Sequence, residues 1–449
     1  MVQPGNGPVP ERIAVRMHRV GFGDCFLVSF TYAVPLDDRR RERHVLIDFG
    51  TTSLPTGLSD LTGVARAIGE RTSGEIDVVV LSHRHRDHLS AFAQAEIVNL
   101  LQATRPPTLV VRPWTEDPNA DANFTGEAGP GASSLAFVQA LADGRAFAAA
   151  MANQVTTASA RGTPRELRQV AVTQLANEGA VTQLDAWAGS TGEYLHYGAS
   201  TTIGDLVPGV TVRVLGPPTI EQHKEVSSQR ETDPGEFWML YKRLVDELPI
   251  EVLHALADTR TARGPEPVGS GEGTAPVDGP TRWLTEHLDR QQLGSFLRIV
   301  RIMDDVLNNT SLILLFEVEG TGGTKRLLFP GDAQIENWEY SLKVVDVQDN
   351  VAALRQVDLY KVGHHGSRNA TPRTLFNLWT EPGTAEHKMV AMMSTKSGVH
   401  GQHVETAVPR ETLVDALRDR TELINSEAQT DLWVEVVADM ASPNSFTKP

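Results

Sequence analysis

Leu81-Ser82-His83-Arg84-His85-Arg86-Asp87-His88 places three histidines and an aspartate within six residues. It follows Ile76-Asp77-Val78-Val79-Val80, a β-branched run of the kind that fills a buried strand. It precedes residues 89–103, where apolar side chains at Leu89, Phe92, Ala95, Val98 and Leu101 predict a helix. The ligand-type residues therefore lie on a strand-to-helix loop. Imidazole and carboxylate are the donors that zinc and similar divalent ions take. His83 and His85 are two apart, so in extended chain they point the same way. Asp87 and His88 come where the chain turns into the helix and can face a second ion. The spacing predicts the start of two adjacent metal sites. A plain solvated loop accounts poorly for three of the chain's fourteen histidines falling so close together.

Working outward, residues 12–30 predict two strands around Val20-Gly21-Phe22-Gly23-Asp24-Cys25, where the glycines permit tight turning. Residues 44–48 predict a strand ending in Asp48, a carboxylate able to orient a ligating histidine through its second N–H. Residues 108–112 give another strand. The pattern then changes. Residues 133–160, 164–176, 236–257 and 283–307 read as helical, and 260–280, rich in Gly, Pro and Glu, as an exposed loop. We read 115–200 and 219–305 as two mostly helical insertions in a β-rich core that comprises 12–112, 203–218 and 307–438. Strand character returns over 201–215, then over 312–316 and 325–329 across a hairpin turn. The latter strand ends in Pro330-Gly331-Asp332. Residues 357–362 form a strand that runs into Gly363-His364-His365-Gly366-Ser367. Residues 389–394 predict a strand, 410–418 a helix and 431–437 a last strand. No internal repeat is legible.

Bulk properties bound the answer. A chain of 449 residues suits one large domain with insertions or two domains. With 40% apolar and 22% charged residues the composition is globular. No apolar run approaches the roughly 20 residues of a membrane span, and residues 1–8 lack the features of a leader peptide. Cys25 is the only cysteine, which excludes an internal disulfide and accords with a reducing, cytoplasmic setting. A net charge of −16 is a poor match for non-specific duplex DNA, because attraction to phosphate supplies most of that affinity. It leaves room for a phosphodiester substrate met by metal ions.

The ordered set Asp48, His83-Arg84-His85-Arg86-Asp87-His88, Asp332 and His364-His365 resembles the motif series of the metallo-β-lactamase fold superfamily. GFGDC, LIDFG, LGPP, NNTSLILLF, FPGD and KVGHHGS together resemble more narrowly the metallo-β-lactamase domain of ComEC-type competence proteins and their soluble relatives. The resemblance covers about residues 12–112, 203–218 and 307–438. It departs from the pattern at Val408, where a histidine usually precedes the proline, and in the third motif, for which His196 is the candidate ligand. The resemblance implies an αββα sandwich, an α/β (α+β) fold, with a dinuclear metal centre at one sheet edge. It implies His83, His85 and Asp332 on one ion, and Asp87, His88 and either His364 or His365 on the other, with Asp332 bridging. Two divalent ions, Zn2+ or Mn2+, would activate a water as the nucleophile of a phosphodiesterase or nuclease. Asp87, the second histidine of the His364-His365 pair, Lys361 and Ser367 are the candidate catalytic residues. Asp24, Asp48 and Asn308 stand behind the ligands. The alternatives are hydrolysis of a small ester, lactone or phosphocholine-type conjugate, or a metal-binding protein that docks a partner through its insertions.

Overall fold

The computed structural model describes residues 7–117, 177–227, 233, 235–238, 307–369, 371–380, 389–399 and 407–449. Its strands in chain order are β1 (Pro10–His18), β2 (Cys25–Tyr32), β3 (Glu42–Phe49), β4 (Val78–Val80), β5 (Leu109–Pro113), β6 (Glu193–Leu195), β7 (Val210–Gly216), β8 (Ile313–Gly320), β9 (Gly323–Phe329), β10 (Leu359–Lys361), β11 (Val390–Met393), β12 (Glu422–Asn425) and β13 (Trp433–Asp439). They form two mixed sheets. One has the order β13-β1-β2-β3-β4-β5-β6, the other β12-β11-β10-β9-β8-β7.

Alternation along the strands separates the layers. In β4, Val78 and Val80 face the other sheet while Val79 faces outward. In β10, Leu359 faces inward and Tyr360 outward. The central layer joins Phe26 and Val28 of the first sheet to Phe316 and Phe329 of the second. Phe26 and Phe329 meet edge-on at 5.8 Å across it, a geometry that contributes about 0.5–1.5 kcal/mol beyond the area buried. Helices cover both outer faces. α1 (Thr62–Thr72), α3 (Ala95–Leu101) and the helix Glu178–Ala188 pack on the first sheet. Helices Ile335–Glu339, Arg373–Leu378 and Glu411–Arg420 pack on the second. The protein is thus an α/β sandwich of two mixed sheets between helical layers.

Each sheet repeats one plan: antiparallel strands first, then three parallel pairings, β3-β4-β5-β6 and β9-β10-β11-β12. The repeat reaches single hydrogen bonds. Asp77, before β4, accepts the His44 N–H at 2.8 Å; Asp358, before β10, accepts the Arg326 N–H at 2.8 Å. After the strands, the Leu81 N–H bonds the Val111 carbonyl and the Val362 N–H the Met392 carbonyl, both at 2.9 Å. By this register Val80 corresponds to Lys361 and His83 to His364.

Several expectations need correction. The helix expected over 89–103 is three short pieces: α2 (Arg86–Leu89), a 3₁₀ turn at Ser90–Ala93, and α3. Strand structure begins at Val210, because Ile203–Leu206 closes into a helical turn first. The insertion boundary at 200 was drawn too late. β6 is an edge strand of the first sheet, and the helix Glu178–Ala188 buries Ala180, Leu184 and Trp187 on it. Phe237 and Trp238, assigned to the second insertion, belong to the outer core of the second sheet. The helices expected over 133–160, 164–176, 239–257 and 283–306, and the loop over 260–280, lie outside the described residues. Among the described residues no helix is long and apolar enough to cross a membrane.

Candidate metal centre

The C-terminal ends of β3, β4, β9 and β10 lie at one edge of the sandwich, and each delivers part of a buried cluster. Asp48 stands one residue before the end of β3, and the histidine loop follows β4, Asp332 follows β9 and His364-His365 follow β10. The loops fit closely. A Cβ on Gly50 would stand 2.5 Å from the Arg86 carbonyl, so only glycine admits the histidine loop there. Gly331, at φ +54°, would bring a Cβ within 2.7 Å of the Ser82 Cβ. Asp48, His364 and His365 have positive φ values of 56°, 41° and 53°. Such conformations cost about 1–3 kcal/mol each and persist where neighbours over-determine them.

The hydrogen bonds decide which imidazole nitrogen is left open. Ser394 offers a carbonyl 2.9 Å from His365 Nδ1, so that nitrogen carries the proton and donates it. Nε2 of a neutral His365 then turns its lone pair toward Asp87 Oδ2 at 3.1 Å. His88 repeats the arrangement. Its Nδ1 donates to Asp48 Oδ2 at 2.8 Å, and its Nε2 faces Asp332 Oδ2 at 3.1 Å. A lone pair set against a carboxylate oxygen needs a cation between them, either a proton or a metal ion. Ser82 Oγ donates to Asp48 at 2.7 Å and lies 3.2 Å from His83 Nδ1, so it accepts the His83 Nδ1–H. His83 Nε2 then meets His85 Nδ1 at 2.9 Å.

Asp332 Oδ2 is the common point, 3.1 Å from His88 Nε2, 3.8 Å from His365 Nε2, 3.9 Å from His364 Nε2 and 4.0 Å from His83 Nε2. His83, His88 and Asp332 bring three donor atoms within 4.8 Å of one another, as do Asp87, His88 and His365, and as do Asp24, Asp48 and His88. His85 joins through His83. Of the histidine pair, His365 is buried with Asp87 and His88, whereas the His364 side chain keeps 28% of its surface exposed. The pair thus divides into an inner member among the ligands and an outer one facing solvent.

Electrostatics follow from burial. Burial disfavours the His88 imidazolium, but Asp332 and Asp48 outweigh it and hold its pKa well above the ordinary value. Burial opposes charge on His365 too, and Asp24 and Asp332 again win, raising it. Burial, and after it the neighbouring His88 and His85, pushes His83 well below. Burial lowers His364 to about 4. Asp87 and Asp332 are held well below the usual carboxylate range; burial opposes this, but His365 overcomes it at Asp87, and His88 and Lys361 at Asp332. Asp24 and Asp332 meet the Lys361 ammonium, and Asp48 and Asp87 join the same cluster through His88 and His365. That anionic excess, with lone pairs directed into it, fits divalent cations.

The other expected residues take different places. Lys361 is buried and directed at Asp24, the Gly331 carbonyl and Asp332, so its donors are spent inside the cluster. Ser367 is buried and donates to Asn369 Oδ1 at 3.0 Å. Asn308 is buried at the turn before Ser311, whose Oγ accepts the Asp332 N–H at 3.2 Å. His196 lies past β6 with its Nδ1 2.9 Å from the Tyr197 carbonyl, outside the three-donor groups. Of three further histidines in the stretch read as the second insertion, His254 and His287 lie outside the described residues and His223 pairs with Glu225 at 3.3 Å. Sequence reading missed Ser82 and Ser394, which set the tautomers of His83 and His365, and Phe22, whose ring lies 4.3 Å from His365. Ser82 carried a signal, sitting between the strand and the first histidine. Ser394 carried only its position at a strand end.

Comparison with protein-family models, with curated proteins and with solved structures returns no match to this chain.

Proposed function

We propose that the protein is a metallo-β-lactamase-fold hydrolase with a dinuclear metal centre that cleaves phosphodiesters. One observation carries the reading. His88 and His365 each spend Nδ1–H on a fixed acceptor and aim Nε2 at the oxygens of Asp332 and Asp87. Histidine ligands are oriented in this way by the groups behind them. Asp87, His88 and His365 would hold one ion, His83 and His85 the other, and Asp332 both. Zinc suits the imidazole-rich donor set, and manganese suits phosphodiester chemistry. Divalent ions there would lower the pKa of a water and polarise the phosphoryl oxygen.

The chain's own residues supply the rest. Asp48 and the Ser394 carbonyl keep the His88 and His365 tautomers fixed through the reaction. Ser82 does the same for His83. His364, neutral and partly exposed beside Asp332, is placed to donate a hydrogen bond to an oxygen of the bound phosphoryl group. A buried thiol as the sole cysteine accords with a cytoplasmic setting.

Metal analysis of the purified protein tests the centre; about two ions per chain are expected. Turnover of bis(p-nitrophenyl) phosphate, single-stranded DNA, cyclic nucleotides and a lactone then tests the chemistry. Activity confined to the lactone removes the phosphodiester reading. A protein that binds no divalent ion removes the metallo-hydrolase reading as a whole.

A further inference from the structure

Lys361 places a buried ammonium on a face lined mostly by hydrocarbon. It is the last residue of β10, paired with Met392 on β11, on the face turned toward the other sheet. The matching residue of the first sheet is Val80, paired with Val111. An ammonium with 2% of its surface exposed needs partners for its donors. Lys361 Nζ has Asp24, from the loop between β1 and β2, the Gly331 carbonyl at 2.9 Å and Asp332 Oδ1 at 3.3 Å. The His364 N–H adds a bond to the same Oδ1 at 3.1 Å. Asp332 is therefore held by one oxygen from behind, while Oδ2 stands among His83, His88, His364 and His365.

We propose that Lys361 and Asp24 form a buried clamp that fixes the orientation of Asp332, so that Oδ2 alone is presented to the metal ions. Lys361 is thus a positioning residue. The clamp also ties the two sheets together at the site edge, since Asp24 precedes β2 and Lys361 ends β10. The inference rests on the metal-centre reading above, and zinc is the probe that tests it.

Charge and positioning predict opposite signs. On charge alone, deleting an ammonium beside cation sites tightens zinc binding. If the ammonium orients Asp332, deleting it loosens zinc. Zinc affinity of Lys361→Met, measured by competition with a chromogenic chelator, is expected to be about tenfold or more weaker than that of the unaltered protein, the usual scale for groups behind a ligand. The Asp24→Asn/Lys361→Met double variant removes both buried charges together and keeps the test available if the single variant fails to fold. It is expected to show the same weakening. Zinc affinity equal to or above that of the unaltered protein, in whichever variant folds, overturns the clamp and leaves the metal centre standing. Failure of the unaltered protein to bind zinc or manganese overturns the metal reading itself.

Discussion

The two sheets run the same plan and put different chemistry at its end. β4 is Val78-Val79-Val80 and β10 is Leu359-Tyr360-Lys361. Both are short, parallel on both sides and buried, and both are preceded by an aspartate that caps the neighbouring strand. The first sheet's loop carries candidate ligands in number, His83, His85, Asp87 and His88. The second sheet's loop adds His364-His365, and its strands add Asp332 and the ammonium behind it. A duplicated scaffold thus provides the edge, and the difference between the copies provides the centre. The first copy supplies most of the donors. The second supplies Asp332 and the ammonium hydrogen-bonded to it.

The comparison can be broken at its most asymmetric point. Asp332 has no counterpart among the ligands of the first sheet, and Asp332→Ala is expected to abolish both zinc retention and phosphodiester turnover, read by metal analysis and a chromogenic diester. Next in size is the transplant Val80→Lys. Val80 is buried among hydrocarbon side chains, so a lysine there is an uncompensated buried charge. A loss of about 3–5 kcal/mol is expected in denaturant unfolding, and a near-neutral result would show that the two strand ends share more than their register.

The histidine pair sharpens the comparison. His365→Ala should weaken zinc binding by about 10–100-fold, while His364→Ala should retain zinc and lose turnover. Zinc binding also has a pH sign. Without an ion, His88 and His365 are held above the ordinary histidine value, so their contribution to stability is full below that value and fades as pH rises through the raised one. Zinc displaces those protons, so its stabilising shift in Tm should grow as pH rises toward the raised value and shrink as pH falls below it. The smallest effect concerns the paired caps. Asp77 faces Arg40 and Arg105, whereas Asp358 has Lys325 at 3.9 Å. Asp77→Asn should therefore cost about 1–3 kcal/mol and Asp358→Asn about 1 kcal/mol, both by thermal unfolding.

Much of the plan was legible along the chain. The β-branched run before His83, the apolar runs over 312–316 and 327–329 and the strand-end carboxylates place the core strands and most of the candidate ligands. The duplication was not, because buried parallel strands ask only for apolar residues. Val78-Val79-Val80 and Leu359-Tyr360-Lys361 take the same buried register without sharing a letter, and Lys361 even breaks the apolar pattern. The helix expected after His88 was over-extended because Phe92 and Ala95 keep helical spacing across a break that only packing reveals. The core boundary near 200 was misplaced because β6 is three residues long and flanked by polar chain, which gives periodicity nothing to register.

The sequence by itself determined the ligand types, their order and the strands that carry them, because side-chain chemistry and strand periodicity are local properties. Tertiary structure decided which nitrogen of each histidine stays open, which member of the His364-His365 pair turns inward, and that Lys361 lies behind Asp332. Those outcomes depend on groups far apart in the chain, Ser394 for His365, Asp48 for His88 and Asp24 for Lys361. Only folding brings such acceptors within hydrogen-bonding distance.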